Sequence, residues 1–122
     1  MGEWAGGVVV IGAAKGVRVF LYRGSCDMRR QMNGLTTMVR EELDRDPESG
    51  ELFVFRNRRG DLVKVLFYDP LGCCLLAKRL HKGTFRIALD SASAGASIEI
   101  TSAELASLLS NAEIVERVRS RS

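Results

Sequence analysis

The chain has 122 residues, 46% of them hydrophobic and 27% charged, which sets aside a disordered chain and leaves room for one modest core. A formal net charge of +3 is too small to name a polyanion partner by itself, so the placement of charge carries the information. No apolar run reaches the roughly 18 to 20 residues of a membrane span. The three cysteines, Cys26, Cys73 and Cys74, make a poor disulfide framework, because adjacent strand residues point to opposite faces. The expected setting is therefore reducing and cytoplasmic, with no membrane.

Taken in order, residues 1–16 are rich in Gly, Ala and Val and read as a flexible extension with one short strand candidate at Val8 to Ile11. The apolar stretch Ala5 to Ala14 lacks the basic flank of a secretory signal. Val17 to Tyr22 alternates as a strand, with Val17, Val19 and Leu21 on one face and Arg18, Phe20 and Tyr22 on the other. Met28, Met32, Leu35, Val39 and Leu43 recur at helical spacing, so a long amphipathic helix is predicted from about Asp27 to Asp44. Asp46-Pro47-Glu48-Ser49-Gly50 ends it in a turn.

Leu52 to Tyr68 then reads as a hairpin. Leu52-Phe53-Val54-Phe55 is apolar on both faces, which predicts a central strand covered twice. Its tip, Arg56-Asn57-Arg58-Arg59-Gly60-Asp61, is strongly basic, and Gly60 can adopt the positive φ such a turn requires. Cys73 to Leu80 and Thr84 to Leu89 are predicted as two further strands, joined by short turns at Asp69-Pro70-Leu71-Gly72 and His81-Lys82-Gly83. Ile98 to Ile100 returns briefly to the sheet. Thr101-Ser102-Ala103-Glu104 has the form of a capping box opening a C-terminal helix through Leu105, Leu108 and Leu109. The expected fold class is α+β: an antiparallel β-meander of about four to five strands covered by one long amphipathic helix and a C-terminal helix. One domain spans residues 17–110, and residues 111–122 form a helical or frayed basic tail.

Chemistry is sparse. Asp27, Asp61 and Asp69 are the acids that could imitate a two-metal nuclease set, but each is explained by a cap or a turn. Cys26, Cys73, Cys74 and His81 lack paired zinc-ligand spacing. Gly12 to Gly16 lacks the spacing of a phosphate loop. No catalytic residue, metal or cofactor is expected, and the protein is read as a non-enzyme. The basic constellation stands out instead. Eight cations lie between Glu51 and Leu89, against the acids Glu51, Asp61 and Asp69. Arg56, Asn57, Arg58, Arg59, Lys64, Lys78, Arg79 and Lys82 are the candidate DNA-binding residues, on a hairpin that could enter a major groove with Lys82 beside its tip.

Several stretches together carry a resemblance. Val17-Arg18-Val19-Phe20-Leu21, Asp27-Met28-Arg29-Arg30, Gly34-Leu35, LFVFRNRRGD and Lys78-Arg79-Leu80, with the closing Ile100 to Leu105, resemble TnpB, the second-reading-frame product of IS-66-type insertion sequences. The resemblance covers about Val17 to Leu109. It departs at Phe67 and Tyr68, where tryptophans are usual, and after Phe85, where Arg86-Ile87-Ala88 replaces a Trp-Pro pair. It implies an accessory role in transposition beside a separate transposase. The expected partners are DNA at the element ends, the cognate transposase and other element-encoded proteins. The alternative is a bridging module that never touches DNA and docks through Phe67, Tyr68 and Phe85.

Overall fold

The computed structural model describes residues 16–90, 93–110 and 114–115. Strand β1 (Val19–Ser25) leads through helix α1 (Met32–Glu41) and a 3₁₀ turn (Pro47–Ser49) to β2 (Leu52–Arg56). Then follow β3 (Leu62–Asp69), β4 (Gly72–Arg79), β5 (Ile87–Ala88), β6 (Ser97–Ile100), helix α2 (Ser102–Leu109) and β7 (Ile114–Val115). The main sheet has the order β4-β3-β2-β1-β6, and β5 and β7 form a separate parallel pair.

The fold is α+β, but its sheet is mixed rather than an antiparallel meander. Only β2, β3 and β4 meander. β1 lies parallel to β2, with Val19 opposite Leu52 and Leu21 opposite Val54, and β6 runs antiparallel to β1. Adjacent parallel strands need a crossover, and α1 supplies it. The predicted strand from Thr84 to Leu89 shrinks to Ile87–Ala88 and leaves the main sheet. The chain after β4 is held across the sheet's end instead, where Leu80 and Phe85 donate their N–H groups to the carbonyls of Asp61 and Gly60, both at 2.8 Å.

Strand alternation sorts the core into two layers. Val19, Leu21, Leu52, Val54, Val63 and Val65 face α2 and pack with Leu105, Leu108, Leu109 and Phe85. Phe20, Phe53, Phe55 and Leu66 face α1 and pack with Leu35, Met38, Val39 and Leu43. The helices thus cover opposite faces, and β2 is central and buried on both, as its composition predicts. The Thr101 hydroxyl accepts from the Glu104 N–H at 3.0 Å, and the Glu104 carboxylate accepts from the Thr101 N–H at 2.8 Å, completing the predicted capping box.

Helix α1 is ten residues long, shorter than its apolar periodicity suggests. Asp27 accepts from the Arg29 N–H at 3.0 Å, a turn that competes with helix, while the carbonyls of Met28 and Arg30 are taken by the Lys64 ammonium. Met32, expected in the apolar stripe, is 40% exposed, while Met38, also read as core filler, is buried. At the far end Asp44 adopts φ 54° and turns the chain out of the helix. Ile114–Val115 forms β7 where a helical or frayed tail is expected. The strand candidate at Val8 to Ile11 and the rest of the tail lie outside the described residues. Among the described residues no helix is long and apolar enough to cross a membrane.

Candidate nucleic-acid interface

The topology gathers the basic residues at one end of the sheet. Because β1 and β2 are parallel, Ser25 and Arg56 sit side by side where both strands finish. The β2–β3 turn lies there too, as does the end of β4, where Arg79 is opposite Leu62. Segments 23–30, 56–61 and 78–90, which converge on this end, hold ten Arg and Lys residues against three Asp. Helix α1 also opens here, with no acidic residue in its first turn and no side-chain cap, so its dipole adds to the same sign.

The turn itself is built by Asn57. Its side-chain oxygen accepts from the N–H groups of Gly60 at 2.8 Å and Leu62 at 3.1 Å, and its amide donates to Asp61 at 2.6 Å. Gly60 stands at φ 81°, a conformation a side chain would strain. The Asn57 amide, with help from the Arg79 guanidinium 3.2 Å away, holds the Asp61 carboxyl below its ordinary value. Asn57 is therefore a frame residue, and its side chain is committed within the turn.

The other candidates divide by whether their charge is already engaged. Arg56 donates to the Arg23 carbonyl at 2.9 Å, its Nε is buried without a hydrogen-bond partner, and burial lowers its hold on its proton. Lys64 is only 6% exposed, with its ammonium 2.9 Å from the Met28 carbonyl and 3.0 Å from that of Arg30. That location removes it from any solvent-facing surface, contrary to its place in the predicted set. Lys78 is exposed but donates to the Leu109 carbonyl at the end of α2, a cation on the negative end of a helix. Arg79 pairs with Asp61. Arg58, Arg59 and Lys82 are exposed, and no side-chain hydrogen bond or ion pair engages them among the described residues.

One further unengaged cation joins them. Arg30 is exposed at the same end, on the segment that follows β1. In the sequence it reads with Arg29 and Arg40 as a second basic face on the predicted helix, and the parallel β1–β2 pairing brings it to the same end as the tip. The loop that carries Lys82 is held beside the tip at its two ends, Leu80 on Asp61 and Phe85 on Gly60. The base of the tip is bonded to its neighbours on both sides. The tip is flanked by that loop on one side and by Cys26 on the other, whose N–H reaches the Arg56 carbonyl at 2.8 Å.

The acids do not form a metal site. Asp27 pairs with Arg29 at 2.7 Å, and the Arg29 guanidinium and N–H bring its carboxyl down to about 2. Asp69 closes the β3–β4 turn by accepting from Leu71 and Gly72. Asp61 and Asp69 bracket β3, about 25 Å apart at the rise of a strand, too far to share ions. Cys26 is buried beside Met38, and Cys73 and Cys74 are half-buried free thiols. Among the described residues no three His, Cys, Asp or Glu side chains are grouped to hold a metal.

A sequence profile described as IS66 Orf2 like protein matches residues 17–119. The chain belongs to the IS66 Orf2-like family. The match runs past residue 110 into the segment expected to be a tail. Two similar proteins come from Sinorhizobium fredii (strain NBRC 101917 / NGR234), both named only as uncharacterized. One, y4hO, is 44% identical over 98 residues, covering 80% of this chain and 83% of the relative. The other, y4jC, is 38% identical over 76 residues, covering 62% of this chain and 65% of the relative. No solved structure matches. Family membership supports an accessory role in transposition.

Proposed function

We propose that this family member is a non-enzymatic transposition accessory protein that binds DNA through the basic end of its sheet, beside its cognate transposase. One observation carries the DNA reading. Exposed cations from three separate loops, Arg30, Arg58 and Arg59, and Lys82, share one end, and no ion pair or side-chain hydrogen bond engages them among the described residues. Clustered like charge opposes the compact state, and a bound polyanion relieves that repulsion. The bridging-module alternative is less supported by its anchors. Phe85 belongs to the core, Phe67 packs partly against it, and the Tyr68 and Thr36 hydroxyls lie 3.2 Å apart. The test is a mobility-shift titration of the folded chain at low salt. Shifted DNA supports the proposal. Folded protein that shifts no DNA, yet co-purifies with the transposase and loses it on Phe67→Ala, replaces it with the bridging role.

A further inference from the structure

Resting on the DNA reading, we infer that the basic end takes the sugar–phosphate backbone of a DNA duplex, without reading bases and in preference to single strands. Three features lead there. First, the unengaged cations stand on three loops, so their charge is spread across an end face. A face of that kind suits contact with successive phosphates.

Second, among the described residues no basic element is free to enter a groove. Base readout in the major groove needs a helix or a two-stranded ribbon that penetrates it. Here the β2–β3 tip is tied to residues 80 and 85 through the carbonyls of Asp61 and Gly60, and Arg56 is tied to the segment after β1. Helix α1 lies over the sheet, with Leu35, Met38 and Val39 buried against it. The polar residue of the tip best suited to pair with a base, Asn57, has both side-chain ends committed within the turn.

Third, single strands are held by successive bases stacked on aromatic side chains. Among segments 23–30, 56–61 and 78–90, the ring-bearing residues are Phe85 and His81. Phe85 is buried, which leaves the exposed imidazole of His81 as the one ring available there. One ring cannot hold a run of bases. Selection of element ends would then fall to the transposase.

The test is an anisotropy titration of the full chain with a labelled duplex, each of its separated strands and a scrambled duplex of equal length, across a salt series. The two duplexes should bind alike and more tightly than either strand. Log K should fall against log salt with a slope of about −3.6, corresponding to four phosphate contacts. Each of Arg30→Ala, Arg58→Ala, Arg59→Ala and Lys82→Ala should shallow that slope by about 1, while His81→Ala leaves the duplex-to-strand ratio unchanged. Tighter binding to a single strand, or a clear difference between the duplexes, overturns the inference while the DNA reading survives. Absence of binding to every probe overturns both.

Discussion

Where β2 begins, opposite charges are spent on one another. Arg18 forks onto Glu99 with both bonds at 2.9 Å, Arg45 forks onto Glu51 at 2.9 and 3.0 Å, and Arg40 reaches Glu48 at 3.5 Å. Arg45 also lies 3.9 Å over the Phe20 ring. Where β2 finishes, cations are more numerous, and Arg30, Arg58, Arg59 and Lys82 have no acid paired with them among the described residues. The first arrangement stabilises a fold. The second adds nothing obvious to it and concentrates positive potential, which is the physical mark of a surface that meets something else.

Within the basic end a second division separates braces from free cations, and substitutions can break it. Lys64→Met removes two charge-assisted bonds and leaves the Met28 and Arg30 carbonyls without their donor, a loss of about 3 kcal/mol in denaturant unfolding. DNA affinity of the folded fraction should fall by no more than the share of Arg30, whose backbone Lys64 holds. Asn57→Ala deletes the frame of the turn. It should cost about 2 kcal/mol and also weaken binding, because Arg58 and Arg59 lose their fixed placement. An Asn57→Ala protein of unaltered stability would contradict the brace assignment. At the opposite end Arg45→Ala should cost about 1 kcal/mol and leave the salt slope of DNA binding untouched.

The smallest effect is a pH dependence with opposite signs at the two extremes. The hydrogen bond from the Tyr22 hydroxyl to Glu42 pushes that phenol up to about 12. A raised acid favours the folded state below its ordinary value of about 10, and this stability is lost as pH rises from there toward 12. Arg29 lowers Asp27 to about 2, and Asp61, Asp69 and Glu51 are lowered as well. Their contribution is complete above about pH 4 and fades as pH falls through the depressed values. Melting temperature against pH should show both limbs, and Tyr22→Phe should flatten only the alkaline one.

Much of this arrangement is legible in the sequence where the determinant is local. Period-two alternation sets Val19 with Leu21 and Val63 with Val65 within their own strands, which the structure joins on one face, and Thr101 with Glu104 marks the start of α2. Central burial of β2 follows from its doubly apolar composition. The failures are long-range. Short loops favour antiparallel neighbours after β2, and reading the whole sheet that way passes over the strand–helix–strand order that sets β1 parallel to β2. A lysine among strand residues reads as solvent-facing. Lys64 is buried because the segment carrying Met28 and Arg30, more than thirty residues earlier, folds over it. The basic tip was visible as composition. Its division into Asn57 and Arg56 as braces and Arg58 and Arg59 as free cations depends on hydrogen bonds that composition does not encode.

The central claim is that the free cations serve DNA and not the fold. It is tested most directly by measuring duplex affinity and melting temperature together on the triple variant Arg58→Ala, Arg59→Ala, Lys82→Ala. The account predicts that affinity at low salt falls by more than about tenfold, while stability stays within about 0.5 kcal/mol of the parent. Unchanged affinity, or a loss of binding that appears only as the protein unfolds, would contradict it.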